Sequence, residues 1–415
     1  MPWLQNASRL IALLSVALAM PMPSARGEDI FIRVSAGEID RRESIVSFPL
    51  PEGLEAPLRL VGPENALDRI NYPVQVDAQR RAWFVLPQLR HGASSLLKLR
   101  PKALPPRGAE PLQMHPTTGG KVEFLRTGRA VFVYQGQQGA MPRSDIPPVY
   151  RRGGYVGAVF SPSGKLLTDD YPPDHIHHHG IWSPWTKTEF EGRNPDFWNM
   201  GDRKGRVDFV ALDATWSGWV HAGFRSRHQF VDMLAKPEKI ALDETWEMRL
   251  LNVGGNDKAP VNVFDLDITQ RTAGPVPLKL LAYHYGGLGL RGARSWNGTN
   301  ACNVLTSEGV TDRLASDGKP ARWCWVGGDV SGVRTGIAVL GHPDNFRAPQ
   351  PVRTHPSEPF FCFAPSKSGD WEIKPGQPYV ARYRFVVSDG PPDAADIERR
   401  WKDFASPPKV EVEAQ

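Results

Sequence analysis

Apolar and polar residues alternate with a period of two in one segment after another, and this constrains the fold more than any other feature of the chain. "IFIRVSAG", "SIVSFPL", "LRLVG", "YPVQVDA", "AWFVLP" and "SLLKLRP" follow one another between Ile30 and Pro101. Turn residues separate them at strand-length spacing, as in a small β-sandwich. The same texture continues in "KVEFLRTGRAVFVYQG", "RVDFVALDATWSGWVHAGFRSRHQFVD", "ALDETWEMRLLNV", "VNVFDLDITQRTA" and "GIAVLG", rich in β-branched and aromatic residues. Only "PDAADIERRWKDFAS" carries a helical period, with Ile397, Trp401 and Phe404 on one face. The expected fold is all-β: a small N-terminal β-sandwich followed by a large antiparallel β-sandwich. No repeating blade motif supports a propeller.

Punctuation in the chain suggests its organisation. Arg9 precedes an apolar run from Leu10 to Met20, and small residues follow near Ala25 and Gly27. That order reads as a secretory signal over residues 1–27, with an apolar core too short to span a bilayer. The N-terminal sandwich then runs over 28–107. The Pro-rich, charged segment "PKALPPRGAEP" is a linker that places a boundary near residue 108. The large sandwich occupies 108–405, and 406–415 reads as a disordered tail. The expected location is secreted or periplasmic, with no membrane span after signal cleavage.

A net charge of +5 over 415 residues, without a basic run, gives no footprint for nucleic-acid binding. Cys302, Cys324 and Cys362 are odd in number and contain no CxxC pair, so they cannot form a zinc ribbon. One disulfide or three buried thiols are both compatible with them. GxSxG, P-loop, HExxH and EF-hand signatures are missing.

"DHIHHHG", Asp174 to Gly180, gathers four of the eleven histidines into five positions. Pro172 and Pro173 bias the chain toward extended structure there. In an extended segment His175, His177 and His179 share one face and His178 points the other way. Alternate imidazoles such as His175 and His177 can reach one divalent ion, for which zinc, manganese or iron suits His and carboxylate ligands. The same row can serve acid–base chemistry, because neighbouring titratable groups push each other's pKa apart. Structural imidazoles that are merely hydrogen-bonded are the remaining reading.

Next comes "GIWSPWTKTEFEGRNPDFWNMGD", in which Trp182, Trp185 and Trp198 alternate with Glu189, Glu191, Asp196 and Asn199. Aromatic faces beside carboxylates and amides suit a sugar ring. "YHYGGLGLRG" places His284 between two tyrosines ahead of Arg291, which could clamp a carboxylate. Its Gly286 and Gly287 allow close backbone approach. The loop "GHPDNFRAPQPVRTH" offers His342, Asn345, Arg347, Arg353 and His355, in a length often used for function.

Taken together, these segments resemble the secreted PmoA-like proteins of bacteria. The resemblance is carried by "DHxHHRGxW" at Asp174–Trp182, "TEFEG…DFWN" at Thr188–Asn199 and "YGGxGxRG" at Tyr285–Gly292. "RWC" at Arg322–Cys324, an "HPxNxRxPxPxxVR"-like loop at His342–Arg353 and "YRFVVxDG" at Tyr383–Gly390 extend it. It spans about residues 115 to 390, and the N-terminal domain resembles a leader domain of some members. The resemblance implies a carbohydrate-processing protein with a galactose-mutarotase-like β-supersandwich. The methane-oxygenase label attached to such proteins implies a multi-span membrane subunit, which this chain does not resemble. His179 stands where many members carry Arg, which removes any role needing a guanidinium there.

The expectation is an exported carbohydrate-active enzyme, a hydrolase, lyase or epimerase acting on a glycoside or sugar derivative. His177 and His178 act as acid, base or ligand, Asp174 orients them, and Glu189 is the partner acid. Trp182, Trp198, His284, Arg291, Asn345 and Arg347 bind substrate, and His175 with His177 would hold any metal. A carbohydrate-binding or cell-surface module without catalysis is the alternative.

Overall fold

In a computed structural model the chain is described over residues 29–62, 71–101, 110–255 and 259–414. The expected signal segment at 1–27 and most of the expected linker around residue 108 lie outside the described residues. The protein is mostly strand, arranged in antiparallel sheets, as the alternation predicts.

Two eight-stranded sheets face each other. One runs in the order Gly205–Trp216, His221–Asp232, Lys239–Leu251, Val261–Thr272, Tyr379–Asp389, Val333–Gly341, Trp323–Val330, Asn303–Thr306. The other runs Val352–Thr354, Phe360–Phe363, Gly289–Arg291, Ile181–Trp182, Tyr155–Val159, Arg129–Gln135, Lys121–Arg126, Gln113–Pro116. Inward side chains of the two sheets interdigitate into one core, as sandwiches require. Phe132 meets Phe264 with ring centroids 5.0 Å apart, and Tyr134 stacks on Phe224 at 4.1 Å. A small third sheet joins Thr188–Glu189, Leu278–Leu280 and Trp371–Ile373.

The core encloses a polar chain. The Nδ1 of His228 lies 2.7 Å from Glu244, and its Nε2 lies 2.8 Å from the Tyr134 hydroxyl. Gln270 donates to Glu244, and Trp185 donates to Gln270, each at 2.7 Å. Every member is paired, which makes burial affordable. The three cysteines are free and buried, so no disulfide forms among them.

Seven strands form the N-terminal unit, in the order Arg41–Pro49, Arg81–Leu89, Asn71–Val76, Leu58–Val61, Ser94–Pro101, Ile30–Ser35, Lys409–Ala414. Its own core contains Ile32, Val34, Phe48, Leu60, Phe84 and Leu97. The last strand corrects the expectation of a disordered tail: Ile30 pairs with Ala414 and Ser35 with Lys409. "KVEVEA" alternates too, and it covers an edge that would otherwise expose unpaired backbone groups. The helix Ala394–Ala405 leads into it, capped by the Asp393 carboxylate on the Asp396 amide. Ile397 is buried, with Trp401 and Phe404 on the same packed face. Asp403 accepts from Arg41 and Ser44, each at 2.8 Å, tying the helix to the N-terminal sheet.

Deleting residues 408–415 should therefore destabilise the N-terminal unit by a few kcal/mol, at about 1 kcal/mol net per ladder hydrogen bond. Urea unfolding followed by tryptophan fluorescence, together with light scattering, checks this. A truncated chain as stable and monodisperse as the full one refutes it. No helix among the described residues is long and apolar enough to cross a membrane.

Candidate active site

Sheet register assembles the site. Ile181 pairs with Leu290, and Arg291 pairs with Phe360. The antiparallel order thus brings together the loop before Ile181, the end of Gly289–Arg291 and the loop before Phe360. Those three places carry the histidine cluster, Arg291 and Glu358.

The cluster is not a strand. The His175 amide donates to Pro172 at 3.1 Å and the His178 amide to His175 at 2.8 Å, closing two consecutive turns. Tyr171 then donates to the His178 carbonyl at 3.1 Å. This overturns the alternation that set His178 apart. His175, His177 and His178 gather on one side, with ring centroids 4.7 to 5.7 Å apart. His179 is the one that departs. It is fully buried, stacks on Tyr155 at 3.9 Å and places its Nδ1 2.6 Å from Asp170.

The cleft they line has a volume of about 240 Å³, enough for roughly one sugar ring. Trp198, Asn199, His284, Tyr285, Arg353, His355, Glu358 and Phe360 complete its wall. Five imidazoles from three chain segments therefore face one space. Gly286 and Gly287, at φ of 127° and 97°, let the turn carrying His284 and Tyr285 lie against Trp185. Any side chain at Gly287 would meet the Phe363 carbonyl at 3.0 Å.

Arg291 organises the floor. Fully buried, it donates to Asp174 at 2.6 Å, Glu358 at 2.8 Å and Asn297 at 3.1 Å, and reaches His178 Nδ1 at 3.5 Å. It clamps the protein's own carboxylates, so the expected role of binding a ligand passes to other residues. His175 Nδ1 lies 3.2 Å from Glu358 and 3.5 Å from Asp174, without a well-aligned hydrogen bond. Asp174, expected to orient His177 and His178, is bonded to Arg291.

Burial and the adjoining imidazoles pull the His177 pKa down to about 4. Burial takes His178 well below its ordinary value. Burial also lowers His284, with the Arg353 and Lys367 charges adding to it, and lowers His355 against the pull of Glu358. Tyr285 moves up to about 12, chiefly through burial, and its hydroxyl accepts from Asn199 at 3.2 Å. Burial would raise Asp174, but the Arg291 hydrogen bond and charge bring it below its usual value.

Several expected members are elsewhere. Glu189 sits in the three-stranded sheet and pairs with Lys279 at 2.7 Å, so it is not the partner acid of the cluster. Asn345 brackets the backbone of Arg382, accepting at 2.8 Å and donating at 2.9 Å, beside a separate pocket. Arg347 donates to the carbonyls of Pro365, Gly369 and Asp370 and braces a loop. Trp182 is fully buried beneath His178, and Trp198 is 1% exposed, so neither offers an open face for sugar stacking. His284 does line the cleft. The overlooked members are Glu358 and Phe360. "THPSEPF" held the only hint, a Glu three residues after His355 and just ahead of an aromatic strand.

Among the described residues, the group able to hold a metal ion is His175, His178 and Glu358, whose ligand atoms lie within 4.8 Å of one another. It replaces the His175–His177 pair selected by strand alternation. Arg291 already bonds one of the three and touches another. A divalent ion would share its ligands with that guanidinium, and like charges at about 4 Å repel by about 4 kcal/mol per unit pair near a protein surface. The guanidinium supplies the positive charge these carboxylates require.

A family model described as a family of unknown function, DUF6807, matches residues 121–402. No curated protein matches the chain.

Proposed function

The chain belongs to this family of unknown function, DUF6807, and on that premise we propose that it is an enzyme performing acid–base chemistry on a sugar or glycoside held in the histidine cleft. The observation that carries this reading is the convergence of His175, His177, His178, His284 and His355 with Tyr285 and Asn199 around one ring-sized space. Titratable groups gathered in a cleft with displaced pKa values mark functional sites more often than structural ones.

Each group has a task. His177, neutral in the free protein, accepts a proton from the bound ligand. Tyr285, kept protonated, donates one, and Asn199 fixes its hydroxyl. His178 stays neutral and donates or accepts hydrogen bonds, while Phe360 stacks against it at 5.0 Å. Asn199 and the remaining imidazoles suit the hydroxyls of a polyol. The finer grouping with secreted PmoA-like proteins and the export of the chain are part of the same proposal. Four of the six segments that carry the resemblance, Asp174–Trp182, Thr188–Asn199, Tyr285–Gly292 and His342–Arg353, contribute residues to the cleft.

The test is a panel of glycosides and oligosaccharides, with binding read by calorimetry and products by mass spectrometry. His177→Gln and Tyr285→Phe should each lower kcat by about 10²–10⁴, the usual worth of a positioned acid or base, with binding retained. Turnover within twofold of the parent in both variants removes the proposed roles. Binding without any turnover by the parent supports the second reading, a carbohydrate-binding module.

A further inference from the structure

The carboxylates of this cleft are already spoken for. Asp174 and Glu358 are both held by Arg291. Hydrolysis by the usual pair of carboxyl groups needs one of them free as base or nucleophile and the other protonated as acid. Here neither is free, since Arg291 holds both. What faces the cleft is an imidazole base and a phenol acid, a pair suited to removing a proton from carbon.

Several cations lie beside the cleft. Arg353 and Lys367 share one carboxylate, Asp317, at 3.1 and 2.8 Å. Among the described residues Arg313 donates to the carbonyls of Gly298 and Glu358. Asp370 is taken up by the Ala282 amide and Asp312 by the Ala315 amide. Asp196 lies on the Asn199–Tyr285 side, enclosed by Thr186, the Asn199 side chain and the amides of Trp198 and Asn199. It does not neutralise the Arg353 side. Arg353 lines the cleft beside His284 and His355, where an anionic group would find a guanidinium and two ring N–H groups.

We propose that the substrate is a uronate glycoside, its carboxylate set against Arg353, and that the reaction is a β-elimination cleaving the glycosidic bond. This rests on the acid–base reading above and deepens it. A carboxylate paired with a guanidinium makes the C–H on the adjacent carbon acidic enough for an imidazole to remove, because the developing charge is stabilised where it forms. His177 takes that proton. The C–H electron pair becomes a double bond to the next carbon, and the bond from that carbon to the glycosidic oxygen breaks. Tyr285 donates its proton to the leaving oxygen, and the His177 imidazolium returns a proton to the phenolate through solvent. One glycoside gives one alcohol and one unsaturated uronate, with no water consumed and no oxidant or reductant required.

The test incubates the full chain with oligomers of alginate, polygalacturonate and glucuronan, beside their carboxyl-reduced counterparts. Near-ultraviolet absorbance reports the conjugated unsaturated carboxylate, and mass spectrometry reports whether water is added. The expected result is an unsaturated product from at least one uronate and none from its reduced counterpart. Arg353→Gln should lower kcat/KM at least about tenfold, with kcat falling as well as KM rising, and Arg353→Lys should recover part of it, as expected for a charge-assisted contact that strengthens as charge develops. A melting curve matching the parent's shows that each variant is folded. Products carrying an added water, or turnover of neutral sugars but not uronates, overturn the elimination and leave the acid–base reading standing. Uronates bound without turnover, with neutral sugars also unchanged, overturn both. No uronate bound or changed overturns this inference alone if neutral sugars react.

Discussion

Lowering the pH from 7 toward 4 should cost this protein roughly 6 kcal/mol of stability through two buried imidazoles alone. His179 and His221 are 0% and 1% exposed, and burial holds each near a pKa of about 4, in the case of His179 against the opposing pull of Asp170. In the unfolded chain each titrates near 6.5. The unfolded state therefore takes up protons first as the pH falls. Stability is complete above about 6.5 and drains away down to about 4, by about 3 kcal/mol per group. His177, partly exposed, adds in the same direction with a smaller weight. Asp267, raised by burial, works the other way as it protonates. The salt-bridged carboxylates Asp174 and Asp317 lie below this window and extend the loss at lower pH.

Urea titrations at stepped pH measure this directly. His221 makes the clearest control, since Trp216 donates to its Nδ1 at 2.8 Å and it lies outside the cleft. His221→Gln should flatten the slope by about half, and a parent profile level between pH 6.5 and 4 counts against the argument.

Strands were legible in the sequence because alternation is a direct image of the pleat, and "KVEVEA" shows the same signal in a segment too short to trust alone. The turn at the histidines was not. Two prolines favour extended backbone, but the bonds from His175 to Pro172 and from His178 to His175 fold the segment back. Local bias cannot anticipate which carbonyl an amide will find. Glu358 was invisible for a different reason. Only the pairing of Arg291 with Phe360 carries it to the cluster, across a separation no local pattern encodes. Asn345 and Arg347 misled because a polar residue in a long loop reads as a binding residue. Here both satisfy backbone groups of neighbouring segments. The tryptophans misled in part: aromatic residues beside acids look like a sugar platform, but Trp182 is core, and Trp198, though it lines the cleft, is 1% exposed.

Arg291 makes the second large prediction, because it is where fold and cleft meet. Replacing it by Met keeps most of the buried stem and removes the charge. Breaking a buried ion pair on one side costs about 3–5 kcal/mol, since the partner is left uncompensated. Here Glu358 is the partner at risk, with a side chain 17% exposed, whereas Asp174 at 41% can turn to solvent. The urea midpoint of Arg291→Met should fall accordingly. Adding Glu358→Gln should restore part of the loss, because the stranded charge is gone. If the double variant is no more stable than the single one, shape and not charge holds this floor together. Arg291→Lys distinguishes the two further. An ammonium keeps the charge but cannot span Asp174, Glu358 and Asn297 from one planar group. It should therefore recover stability only in part.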